Sequence, residues 1–123
     1  MATDTAQPQP NYPVTRRWPR YQFDVPVRVI TQPPRKVAVV QGRGRELNGG
    51  GMAVFVGIEL AMDDQVAVEF TPPYSGQPIR VRCFVRNRSG YNYGVEFITE
   101  NNADYENVSQ IQAVLQAMGS ELP

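Results

Sequence analysis

The chain has 123 residues, enough for one compact domain around a single core and too few to favour two. Its 12 basic and 12 acidic side chains cancel, which removes any bulk electrostatic attraction to nucleic acid or to a membrane surface. It has no histidine, so the commonest general base and the commonest metal ligand are both missing. A binding domain rather than an enzyme is therefore expected, with no metal and no cofactor.

Charge is uneven along the chain. Arg16, Arg17, Arg20, Arg28, Arg35, Lys36, Arg43 and Arg45 face only Asp4 and Asp24 in the same stretch. Arginine dominates that cationic front, and its planar guanidinium suits phosphates and flat rings better than an ammonium does. Cys83 stands alone, as in a reducing compartment. No segment reads as a signal peptide or a bilayer span, so a cytoplasmic protein without membrane insertion is expected.

Taken in chain order, Met1 to Val14 holds Pro8, Pro10 and Pro13 and little to bury, and is expected to be a disordered tail. From Tyr21 the pattern alternates. Phe23, Val25, Val27 and Val29 fall on one face of a strand, with Pro26 on the other face marking an edge or a bulge. After Pro33-Pro34 come Val37 to Val40, a glycine-rich run from Gly42 to Gly51, and Met52 to Val56, which reads as two strands meeting at a glycine turn. Alternation recurs at Val66, Val68 and Phe70, at Ile79, Val81, Cys83 and Val85, and at Tyr93, Val95 and Phe97. About six short antiparallel strands fit a small barrel or a sandwich. The period then changes. Tyr105, Val108, Ile111, Leu115 and Met118 make one stripe of a helix over 102–118, with Asn101 or Asn102 as its cap and Gly119 as its end.

Asp63-Asp64 reads as a solvated turn, because adjacent carboxylates point apart and no further ligands gather nearby. Cys83 alternates with apolar neighbours and reads as a buried structural thiol. Two clusters are informative: Arg16-Arg17-Trp18-Pro19-Arg20-Tyr21 before the first strand, and Glu46-Leu47-Asn48-Gly49-Gly50-Gly51 at a turn. Arginines beside a mobile tail can fork onto guanine edges or phosphates, and glycines let backbone amides approach a ligand closely.

Arg16-x-x-x-Arg20 followed by Glu46-x-Asn48-x-x-Gly51, with a closing Gly90-Tyr91-Asn92-Tyr93-Gly94-Val95-Glu96-Phe97, resembles the PilZ domain family, whose motifs are RxxxR and [D/N]xSxxG. The resemblance implies an all-β fold, a six-stranded antiparallel barrel over 15–100, followed by the C-terminal amphipathic helix over 101–123. It implies a cytoplasmic bacterial signalling module that binds cyclic di-GMP, the arginine arm closing over the nucleotide. Arg16 and Arg20 would hold guanine edges and phosphates, Arg17 would add charge or stacking, and Glu46 would meet guanine N1 and N2. Asn48 stands where the family has serine, and Gly51 takes the glycine of the tight turn. A downstream protein partner is expected, with no DNA or RNA. Two other readings compete: a PilZ-like domain that binds only another protein, and a barrel stacking single-stranded nucleic acid on Trp18 and Tyr21.

Overall fold

The computed structural model describes residues 21–72 and 76–121. Six strands, β1 (Tyr21–Thr31), β2 (Val39–Asn48), β3 (Gly51–Val56), β4 (Gln65–Phe70), β5 (Ile79–Ser89) and β6 (Asn92–Phe97), precede one helix, α1 (Asn102–Glu121). The strands form a closed antiparallel barrel in the order β1-β2-β3-β6-β5-β4, with β1 pairing both β2 and β4. The all-β barrel expected from the motifs is thus the observed fold. The expected tail over 1–14 and the arginine cluster at 16–20 lie outside the described residues.

Alternation fills the interior. Val27 and Val29 of β1, Met52, Val54 and Val56 of β3, Val66, Val68 and Phe70 of β4, and Val81, Cys83 and Val85 of β5 are all buried. Each such side chain contributes about 1.5–3 kcal/mol by leaving water. Tyr93 reaches across the core to accept a hydrogen bond from Leu60 N (2.9 Å) and donate one to the Ile58 carbonyl (2.8 Å), so its buried hydroxyl is satisfied. Burial pushes the Cys83 thiol up, in keeping with an inert structural residue.

Pro26 sits where a missing N–H does least harm. It pairs with Arg43 of β2, while pairing of β1 with β4 begins only at Arg28, and the β1–β2 register shifts between Gln22 and Val25. The glycine-rich run departs from expectation. Gly42 and Gly44 belong to β2, and only Gly49-Gly50 turn the chain. Packing explains it: a Cβ on Gly44 would stand 2.8 Å from Met52 Cε and 3.1 Å from Val27 Cγ1, so Gly44 makes room inside the barrel, while a Cβ on Gly42 would stand 2.5 Å from the Phe55 carbonyl oxygen of β3. Val37 lies before β2 and is exposed.

The cationic front is balanced by carboxylates that the fold brings to it. Arg28 donates through Nε to Glu69 (2.9 Å), Arg35 pairs with Asp64 (2.8 Å), and Arg43 pairs with Asp24 (2.8 Å). Asp63 and Asp64 do form a turn, with Asp63 at φ 67°.

α1 adds Val108, Ile111 and Leu115 to the barrel core. Two details differ from the expected stripe. Tyr105 is 57 % exposed, and its neighbour Asp104 is the buried residue, at 3 %. A carboxylate can take that place because it is fully engaged. Arg82 of β5 donates to it through Nε (2.9 Å) and Nη2 (2.7 Å), and Asp104 N and Asn101 N exchange bonds with the Asn101 and Asp104 side chains (2.8 and 3.3 Å), a capping box. The helix also runs past Gly119 to Glu121, since a glycine late in a helix costs only about 1 kcal/mol.

The Arg82 hydrogen bonds hold the Asp104 carboxyl down at about 2, against the cost of desolvation. Because the folded value lies below that of the unfolded chain, about 3.9, this stabilisation is present above pH 4 and is lost as pH falls through about 2. Asp104→Asn should lower stability by about 2–4 kcal/mol at pH 7 and flatten the acid limb of the denaturant midpoint between pH 4 and 2. Tyr105→Ala should leave the midpoint within about 0.5 kcal/mol of the parent, whereas Ile111→Ala should cost about 2–5 kcal/mol.

Candidate functional site

A surface groove of about 630 Å³ crosses the outer face of β2, β3, β6 and β5. Its residues follow from register. Glu46 pairs with Ala53, Ala53 with Gly94, and Gly94 with Asn87, so one row of neighbours crosses four strands. A second row runs from Asn48 through Gly51 and Glu96 to Phe84. Ala53 and Gly94 in the middle of the first row and Gly51 in the second make a low floor, and Glu46, Asn48, Asn87 and Glu96 are the polar side chains around it. Such a trough suits a flat ring lying on backbone with its polar edges met laterally.

The β2–β3 hairpin builds one wall. Asn48 accepts a hydrogen bond from Gly50 N at its Oδ1 (2.7 Å), which closes the turn and leaves Nδ2 as the group able to donate outward. Phe97 N donates to the Gly50 carbonyl (2.9 Å) and Gln112 Nε2 of α1 to the Gly49 carbonyl (3.2 Å), so β6 and the helix both grip this turn. At Gly51 a Cβ would run into the Val95 carbonyl oxygen of β6, so close an approach of the two backbones that only glycine fits. The register shift of β2 between Gly44 and Glu46 lets Glu46 enter the outer row while Leu47 returns to the core.

The far wall is Arg86 with Asn87, where β5 carries its own register shift between Val85 and Asn87. Arg86 donates to Glu96 (2.7 Å) and Asp63 (2.6 Å) and lies 4.8 Å from the centroid of the Phe84 ring. Its hydrogen bonds to Glu96 first, and then to Asp63, raise its pKa and keep it charged. Beyond the groove, Arg45 stands 5.8 Å from the Phe55 ring centroid.

Glu46, Asn48 and Gly51 are therefore brought together as the sequence motif suggests, all lining one groove. Arg16, Arg17 and Arg20 lie outside the described residues. The register nevertheless fixes where the chain enters the barrel: Tyr21 pairs with Leu47 and Gln22 with Glu46, so the start of β1 runs beside the motif-bearing end of β2. Sequence reasoning missed Arg86, Asn87 and Gly94 as groove residues. The signal available was Gly94 inside an alternating strand, which marks a close approach. Among the described residues no cluster of acidic and cysteine side chains could hold a metal ion, and no helix is long and apolar enough to cross a membrane.

Solved structures share this closed barrel. The chain superimposes on the PilZ domain of CeSA from a cellulose-synthesizing bacterium with a TM-score of 0.63 at 15% identity, covering 81% of this chain and 97% of that one. The Bacillus subtilis inhibitor of motility MotI/DgrA gives 0.61 at 15% identity, covering 88% of this chain and 53% of that one. The PilZ domain of YcgR from Escherichia coli, solved with c-di-GMP, gives 0.59 at 12% identity, over 86% and 95%. No curated protein matches the chain in sequence. The family model of the PilZ domain matches residues 15–116, and the chain belongs to that family.

The close approach at Gly51 is open to direct trial. Gly51→Ala must push β3 away from β6 and should cost about 1–3 kcal/mol, read as a lowered thermal midpoint, while Ala53→Gly on the same strand should cost less.

Proposed function

We infer that the protein is a receptor for cyclic di-GMP, bound in the groove with Arg16, Arg17 and Arg20 closing over it. The observation that carries this reading is the β1–β2 register, which brings the chain just after Arg20 alongside Glu46. Arg16 precedes Tyr21 by five residues, about 17 Å of extended chain, so both motif arginines are within reach of the groove.

Charge supports the same division of labour. Among the described residues the groove carries Glu46 and Glu96 against Arg86, and Arg86 is already paired. Two phosphates cannot be neutralised there, so the cations must come from the arm. The groove supplies what a guanine needs instead: Glu46 accepts from N1 and N2, and the small floor takes the ring. Asn48 Nδ2 and Gly51 stand beside the path of the sugar-phosphate. Membership of a family in which the YcgR domain was solved with c-di-GMP agrees with this ligand. On this reading the protein is an adaptor without catalytic activity, working in the cytoplasm of a bacterium and passing its bound state to a partner protein, without contact to nucleic acid.

Replacement of Arg16 or Arg20 by alanine should weaken binding of cyclic di-GMP about ten- to a hundredfold by calorimetry, with the thermal midpoint unchanged. Lysine should restore only part, since it keeps the charge and loses the fork. Arg28→Ala is the control, because Arg28 is held by Glu69 on the β1–β4 side of the barrel. Glu46→Asp should bind and Glu46→Ala should weaken binding. Full affinity in folded Arg16→Ala and Arg20→Ala proteins would remove the arm from the site, and a parent that binds no cyclic di-GMP would favour the protein-interaction reading.

A further inference from the structure

The far wall of the groove holds a polar group that no motif names. Asn87 is exposed and lies across from Gly94, and its carboxamide hydrogen-bonds to no described residue. A Cβ built on Gly94 would stand 2.5 Å from both Nδ2 and Oδ1 of Asn87. The carboxamide therefore lies flat in the space a side chain at position 94 would take, at floor level. The register shift of β5 just before Asn87 is what turns it there, since Arg86 and Asn87 both face outward where strict alternation would send one inward.

We propose that Asn87 is a ligand-binding residue that anchors the end of the purine opposite Glu46 by donating from Nδ2 to N7. The inference rests on the cyclic di-GMP reading above and assigns the second end of the base. The two residues share one cross-strand row with only Ala53 and Gly94 between them, three strand spacings or about 14 Å from β2 to β5. Asn87 reaches inward over Gly94, and the rest of the span leaves room for one ring system. A guanine whose N1 and N2 donors meet the Glu46 carboxylate turns its imidazole side, with the N7 acceptor, toward β5. Of the two groups there, Arg86 is engaged by Glu96 and Asp63, and Asn87 has a donor free of protein partners among the described residues. Glu46 thus selects guanine, and Asn87 demands a purine with an intact N7.

The test compares cyclic di-GMP with its 7-deaza analogue, in which carbon replaces N7, on the full-length parent, Asn87→Ala and Gly94→Ala proteins. The parent should bind the analogue about tenfold more weakly than cyclic di-GMP. Asn87→Ala should lose about tenfold for cyclic di-GMP and discriminate less than the parent against the analogue, with an unchanged thermal midpoint, because the side chain holds nothing else in place. Gly94→Ala should reproduce that pattern by displacing the carboxamide. Parental affinity in Asn87→Ala, or no penalty for the analogue in the parent, or the same penalty in parent and variant, would overturn the role of Asn87 while leaving the receptor reading intact. Absence of any saturable binding of cyclic di-GMP to the parent would remove both.

Discussion

Closure of the barrel through β1 is the constraint on which the rest of the structure depends. An open six-strand sheet would leave two rows of unpaired backbone groups, and β1 removes both by pairing β2 along most of its length and β4 over its last four residues. The overlap is partial, and that allows Pro26 within the strand. Closure also decides which side chains share the core and which share the outside. The row from Glu46 to Asn87 exists only because β2, β3, β6 and β5 are held in one continuous curved face.

The groove inherits its shape from small residues in that face. Gly51 lets β3 press against β6, and Gly94 leaves its place to Asn87. Two register shifts, in β2 before Glu46 and in β5 before Asn87, put both residues on the outer face in one cross-strand row. The hairpin turn is meanwhile fastened from behind by Gln112 of α1, and α1 is fastened to β5 by Arg82 and Asp104.

Much of this was legible in the sequence, because period-two alternation in β1, β4, β5 and β6 and the three-four spacing of Val108, Ile111 and Leu115 reflect burial directly. The motif around Glu46, Asn48 and Gly51 likewise led to residues that line one groove. The failures have physical causes. Gly42 and Gly44 look like turn residues because glycine favours turns, whereas Gly44 makes room for Met52 and Val27 of the two flanking strands and Gly42 for the Phe55 carbonyl of β3. Spacing puts Tyr105 in the helix stripe and leaves out Asp104, since a buried carboxylate is acceptable only with a partner, and Arg82 lies 22 residues away. Asn87 gave no signal because a bulge, invisible in a single strand, decides which way it faces.

The proposed function stands on cyclic di-GMP binding in the groove that spans β2 to β5. Amide chemical-shift mapping of the full-length protein during titration with cyclic di-GMP tests it most directly. The account predicts saturable shifts concentrated at Gly50, Gly51, Ala53, Asn87 and Gly94 and in the segment before Tyr21, with Arg28 and Glu69 unmoved. Shifts that saturate elsewhere, around Gln77, Ile79 and the outer face of α1, or a spectrum that does not change, would contradict it.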